Sequence, residues 1–200
     1  MLKRFVILVA SSVLLFACNT SEVKDSDAGS VASSKAKGMK SAPKRVNSEE
    51  FLAAHNRARA AEGVPALVWS EDLARYSKQW AEELNRTKSC DIVHRPRSGK
   101  FKQLYGENLY YASALNWSSG KKQIQNITSS KVVSDWVSEK ANYNNKTNSC
   151  NAGEMCGHYT QVMWKNSTAV GCAVSVCDNK SQVWVCNYNP PGNYPGQRPF

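Results

Sequence analysis

The 200-residue sequence is poor in the groups that announce an enzyme. It has three histidines, His55, His94 and His158. It has no Cys-x-x-Cys pair, no His-Glu-x-x-His run and no serine in a recognisable nucleophile motif. These gaps argue against a thiolate zinc site, a metalloprotease helix and serine nucleophile chemistry. No internal repeat is present, which argues against a solenoid or propeller. The net charge is +10, yet no block of five to eight lysines and arginines occurs and no nucleic-acid motif is found, so the sequence offers no nucleic-acid partner. A mean hydropathy of −0.50 excludes a polytopic membrane protein. With 42% hydrophobic and 21% charged residues, the chain is ordinary enough to fold as a globular domain with accessory segments.

The N-terminus has the anatomy of an export signal. Lys3 and Arg4 form a positive n-region and Phe5 to Phe16 a short apolar h-region, too short for a comfortable membrane span. "LFAC", Leu15 to Cys18, resembles a bacterial lipobox, which implies cleavage after residue 17 and diacylation of Cys18; an ordinary cleaved signal without lipid is the alternative. Residues 18–45 are rich in Ser, Ala, Lys and Asp and lack aromatics. Such a segment cannot bury enough apolar surface to order itself, so it reads as a flexible tether. The folded domain is expected over 46–200. The basic balance could favour anionic surfaces such as phospholipid or wall polymers, although a basic solvated surface is the simpler reading.

Seven cysteines are present. With Cys18 given to lipid, Cys90, Cys150, Cys156, Cys172, Cys177 and Cys186 remain, an even set suited to disulfides in an exported protein. The stretches "AVGCAVSVC" and "SQVWVCNYN" flank "DNK", a plausible turn. A hairpin centred on Asn179 sets Cys172 directly opposite Cys186, within disulfide reach.

Helical periodicity is clear in three places. "NSEEFLAAHNRARAAEG" carries Asn47 as a cap, Glu50 three residues on and Gly63 as a stop. "SEDLARYSKQWAEELNR" is capped by Ser70, with Leu73, Tyr76, Trp80 and Leu84 recurring at helical spacing. "SSKVVSDWVSEKANY" carries Val132, Val133, Trp136 and Val137 as its inner stripe. Residues 157–189 alternate with period two and are expected to be strands, with His158 at the start of the first. Helices with an antiparallel sheet, stapled by sulfur, give an α+β sandwich.

The candidate chemistry lies in two imidazoles and two carboxylates. His94 follows Cys90 by four residues and His158 follows Cys156 by two, so disulfides would hold both. Glu107 sits in "YGENLYY" after a glycine that permits close backbone approach. Val132, Trp136 and Glu139 fall at i, i+4 and i+7, which puts a carboxylate on an apolar helix stripe. That is costly unless it is paired. Two His and two Glu around one cleft could bind a divalent metal such as zinc, or form a purely structural polar cluster. His55, in "AAHNRAR", is expected to be structural, with a hydrogen bond to the segment that follows it.

"GHYTQVMWKNSTAVGCA" and "VWVCNYNPPGNYPGQRPF" resemble the two signature stretches of the CAP superfamily, which unites cysteine-rich secretory proteins, insect venom antigen 5 and plant pathogenesis-related proteins of the first class. "AHNRAR", "VPALVWSEDLARYSKQWA", "YGENLY" and "DWVSEKANYN" match in order, so the resemblance covers roughly residues 48 to 200. It is strongest toward the plant branch, in the places of the six domain cysteines and in the ending "GQRPF". The resemblance implies an α–β–α sandwich with a central antiparallel sheet and the disulfides Cys90–Cys177, Cys150–Cys156 and Cys172–Cys186. It implies a cleft tetrad of His94, Glu107, Glu139 and His158, with His94 and His158 as zinc ligands. It further implies a non-enzymatic binding module for lipid, sterol-like, envelope or host ligands, exported and tied to a membrane through Cys18. Tyr110, Tyr111, Leu115 and Trp117 are candidate lining for an apolar groove. The alternative is a metal-dependent hydrolase or protease with Glu107 or Glu139 as general base.

Overall fold

The computed structural model describes residues 46–88 and 90–200. The expected signal peptide at 1–17, the lipidation of Cys18 and the tether to residue 45 lie outside the described residues.

Helix α1, Ser48–Ala61, begins where the sequence places it: the Asn47 side chain accepts from the Glu50 amide at 3.0 Å. It ends at a turn containing Gly63, whose φ is +68°. After β1, Val68–Trp69, comes α2, Glu71–Lys88, whose Leu73 amide donates to Ser70 Oγ at 3.3 Å. Then follow β2, Gly106–Ala112; the short strands β3, Leu115–Asn116, and β4, Lys122–Gln123; and α3, Ser129–Ser138. Thr128 caps α3, accepting from the Lys131 amide at 3.1 Å. A 3-10 turn, Glu139–Asn142, leads to β5, Tyr143–Asn144, and β6, Ser149–Cys150; the chain closes with α4, Gly157–Val162, β7, Ala169–Val176, and β8, Gln182–Asn189.

The main sheet runs β1-β7-β8-β2. β7–β8 and β8–β2 pair antiparallel, while β1 joins β7 in parallel. The sheet is therefore mixed rather than wholly antiparallel. The cause is local: β1 is a two-residue stub leading into α2, and the Val68 and Ser70 amides donate to the Thr168 and Val170 carbonyls at 2.9 Å.

Alternation along β8 builds two cores. Trp184, Cys186 and Tyr188 join Phe51, Val132, Val133, Trp136, Tyr159 and Val162, from α1, α3 and α4. Val183 and Val185 join Trp80, Ala81 and Leu84 of α2. The result is helix α2, the sheet, and the α1–α3–α4 group, in three layers. Gly171 lets α2 lie against β7. A Cβ there would stand 2.2 Å from the Ala74 nitrogen and 2.5 Å from the Ser70 carbonyl oxygen, both backbone.

All three disulfides are present. Cys172 and Cys186 are register partners, as a hairpin centred on Asn179 requires. The β7–β8 turn also receives Cys90, so Cys90–Cys177 ties the end of α2 to the sheet.

Two local expectations are corrected. His158 does not start a strand: Gly157–Val162 is helical, with Met163 N bonded to Tyr159 O at 2.9 Å. Tyr159, Val162 and Met163 are buried, a helical spacing that such a short run cannot distinguish from alternation. Helix α3 stops at Ser138, so Glu139 opens a 3-10 turn rather than continuing the α-helical stripe.

Candidate functional site

Glu107 is the second residue of β2, and its side chain is fully enclosed. Oε1 accepts from His94 Nδ1 at 2.9 Å and from the Arg95 amide at 3.0 Å. Oε2 lies 3.6 Å from Arg95 Nε and accepts from Asn187 Nδ2 at 3.5 Å. The Arg95 guanidinium stacks 3.6 Å above the Tyr76 ring and donates to the Tyr76 carbonyl oxygen. The stretch leading into His94 is held at two points: Cys90 is anchored by its disulfide, and Trp80 Nε1 donates to Val93 O at 2.9 Å.

The second pair forms where α3 meets α4. Glu139 Oε1 lies 2.6 Å from His158 Nδ1. Its Oε2 accepts from the His158 and Tyr159 amides at 2.9 and 3.2 Å. First-turn helix amides have no carbonyl of their own helix to bind, so starting α4 at Gly157 supplies two donors to that oxygen. Burial opposes the charge on Glu139. The His158 hydrogen bond and charge, with the two amides, outweigh it and hold the carboxyl below its ordinary value.

Because a carboxylate only accepts, each Nδ1 carries the proton. Whenever such a ring is neutral, its lone pair is on Nε2. A cleft of about 710 Å³ is lined by His94, Glu107, Asn108, His158 and Gln161, and by the Pro191–Pro195 segment. His94 stands at the mouth with 57% of its side chain exposed, and His158 lies deeper at 23%. Glu139 sits behind His158 and is not part of the lining. Gln161 forms part of the floor, its Oε1 accepting from the Gly192 amide at 3.0 Å. A Cβ at Gly106 would fall 2.2 Å from that same oxygen.

Among the described residues, no group of three or more His, Cys, Asp and Glu side chains is placed to hold a metal. The available donors are two imidazoles, each oriented by a carboxylate on Nδ1, the usual outer-shell arrangement of a histidine metal ligand. That chemistry fits a two-histidine divalent site in which Glu107 and Glu139 orient rather than ligate.

His55 lies outside the cleft and is fully buried. Nδ1 donates to Phe51 O at 2.8 Å, in the preceding turn rather than the following segment. Nε2 accepts from the Tyr188 hydroxyl at 2.9 Å. Burial lowers the imidazole to about 4 and pushes the Tyr188 hydroxyl up. Asn108 Nδ2 donates to Tyr188 Oη at 3.3 Å and to His158 O at 3.1 Å, which joins this core network to the site. Tyr110, Tyr111, Leu115 and Trp117, the expected groove lining, do not line this cleft. Tyr110 is half-buried, and Tyr111, Leu115 and Trp117 are exposed, away from the cleft.

Several residues of the site were not singled out from the sequence: Arg95, Asn108, Gln161, Asn187 and Tyr188. The usable signal was polarity inside apolar strands, Asn108 in "GENLYY" and Asn187 in "VWVCNYN". Arg95 carried no such mark.

The comparisons agree with this architecture. A profile of the cysteine-rich secretory protein family, CAP, matches residues 52–188. The chain is 41% identical over 152 residues to a pathogenesis-related protein of PR-1 type from Sambucus nigra, covering 76% of this chain and 81% of that protein. It is 42% identical over 171 residues to pathogenesis-related protein PR-1 of Medicago truncatula, covering 85% and 88%. Among solved structures, Schistosoma mansoni venom allergen-like protein 4 superposes with a TM-score of 0.53 at 25% identity, covering 76% and 92%. With its disulfide-stapled three-layer sandwich and its matched signature stretches, the chain belongs to the CAP family of cysteine-rich secretory proteins.

Proposed function

We propose that the domain is a non-enzymatic binding module, displayed outside the cell, whose cleft holds a divalent cation such as zinc on His94 and His158 beside a ligand. One observation carries this reading: both imidazoles spend Nδ1 on a carboxylate, which leaves Nε2 as the ligating nitrogen. Two protein ligands leave coordination positions for a group of the bound molecule. The ligand belongs to the lipid, sterol-like, envelope or host class, and the expected anchor at Cys18 would present the cleft at a membrane.

The alternative, a hydrolase, needs a carboxylate free to take a proton from water. Glu107 is engaged by His94, Arg95 and Asn187, and Glu139 by His158 and two amides. Their engagement supports binding over catalysis.

Isothermal titration with zinc tests the reading. The wild-type protein takes up one equivalent, and His94→Ala and His158→Ala each lose it. Ligating histidine must be neutral, so uptake weakens in acid. Zinc uptake unchanged in both variants would overturn the assignment. Turnover of a peptide or ester substrate that disappears in both His94→Ala and Glu139→Ala would establish the hydrolase instead.

A further inference from the structure

We infer that the β3–β4 hairpin is a membrane-contact surface that rests on bilayers rich in anionic phospholipid. The two strands form a ribbon of their own outside the main sheet. Leu115 and Trp117 are two residues apart and share a face of it; they are 41% and 56% exposed. Tyr111, near the end of β2 that feeds the ribbon, is 43% exposed. Trp80, Trp136, Trp164 and Trp184 are buried and Trp69 is half-buried, so Trp117 is the indole this fold displays. A closed turn holds it there: Trp117 N donates to Lys121 O at 3.0 Å and Gly120 N to Trp117 O at 2.9 Å, with Gly120 at φ +79°.

Charge selects the partner. Between Glu107 and Asp135 the chain has no carboxylate. Lys131 is engaged by Asp135 at 2.6 Å. Lys121 and Lys122, both exposed, have no ion-pair partner among the described residues. An aromatic and aliphatic tip beside two unopposed ammonium groups matches the bilayer interface. Indole sits at headgroup depth there, and lysines draw anionic headgroups. None of these residues lines the cleft, so this inference and the cation reading stand or fall separately.

Quenching of tryptophan fluorescence by brominated lipids reads contact at this tip, whatever holds the rest of the chain. The full chain is mixed with vesicles of phosphatidylglycerol or phosphatidylcholine carrying brominated acyl chains. The expected result is quenching by the anionic vesicles, loss of that quenching in Trp117→Phe, and its weakening in about 0.5 M salt. Lys121→Gln/Lys122→Gln is expected to lower partition about tenfold or more. All three positions are exposed, so near-ultraviolet circular dichroism stays that of a folded chain. Three results would each overturn the inference: sedimentation with anionic vesicles without quenching, equal quenching by neutral vesicles, or quenching that survives Trp117→Phe. A lipid-free emission shift that grows with protein concentration would overturn it in favour of self-association.

Discussion

Glu139 grips His158 twice, through the ring at Nδ1, 2.6 Å from Oε1, and through the backbone amide, 2.9 Å from Oε2. One carboxylate thus sets both the imidazole's tautomer and the start of the helix that carries it. Glu107 treats His94 similarly, accepting from its ring and from the amide of the next residue. Each histidine is therefore oriented by a group outside its own loop or helix.

Glu139→Gln is expected to weaken zinc uptake about 10- to 100-fold, the usual effect of losing an outer-shell partner. Folding stability should fall by about 1–3 kcal/mol as the His158 and Tyr159 amides lose a charged acceptor. The pH signature follows from the lowered carboxyl. Its contribution is fully present above the unfolded carboxylate value and is lost as pH falls through the lower folded one. The wild-type protein should therefore lose part of its stability below about pH 4, and the variant should lose less. Urea titrations at pH 3, 4 and 7 measure this; equal pH dependence in both proteins would refute the coupling.

His55 titrates with the opposite chemistry but the same direction. Buried and neutral, it is held at about 4 against 6.5 in the unfolded chain. The unfolded state binds the proton first, so stability is full above about 6.5 and declines toward pH 4, by roughly 3 kcal/mol. Replacement by the uncharged His55→Gln should lower stability at neutral pH yet flatten the profile between those limits. The measurement is the denaturant midpoint across pH 4–7; a His55→Gln profile as steep as the wild type would remove His55 as the cause.

The legible part of the fold was the part governed by short-range rules. The Asn47 cap and the Gly63 stop are local backbone chemistry, and pairing Cys172 with Cys186 needed only a turn centre. What was not legible depends on contacts far along the chain. Tyr159, Val162 and Met163 suit a strand or a helix equally until α4 meets Glu139 from the end of α3. The family resemblance gathered the two imidazoles and two carboxylates into the expected tetrad, where residue type left a structural cluster equally open. Residue type could not say that Arg95 would bury its guanidinium against Tyr76 beside Glu107, because in the sequence Arg95 is one basic residue among several in a loop. The exposure of Trp117 was equally hidden, since the ribbon that displays it is built from two two-residue strands.

Arg59 is fully buried and binds four backbone carbonyls: Pro65 at 2.6 Å, Val162 at 2.7 Å, and Trp164 and Ser167 at 3.0 Å. Burial lowers it to about 10, so it stays charged at neutral pH. It closes the end of α4 by donating to the carbonyl of Val162, the helix's last residue. Arg59→Met keeps much of the apolar stem but removes a charged donor from all four oxygens, of which Trp164 O keeps the Ser167 amide, at an expected cost of about 3–5 kcal/mol. Thermal unfolding should show a fall on the order of 10 °C, and a fall under about 2 °C would mean that water replaces the guanidinium without penalty.

Two of the disulfides should separate stability from site geometry. Cys90–Cys177 spans 87 residues and Cys150–Cys156 spans 6. Loop-closure entropy assigns about 4–5 kcal/mol to the long link and about 2 kcal/mol to the short one. The short link, however, ends one residue before α4, and that helix begins with the amides and the imidazole that bind Glu139. Cys150→Ala/Cys156→Ala should therefore melt only about 4–8 °C below the wild type but bind zinc more weakly. Cys90→Ala/Cys177→Ala should lose far more stability, and its His158–Glu139 pair should persist wherever the domain stays folded. Calorimetric melting and zinc titration on the two double variants give the comparison. Equal zinc affinity in the wild type and the short-link variant would show that α4 holds His158 in place without sulfur.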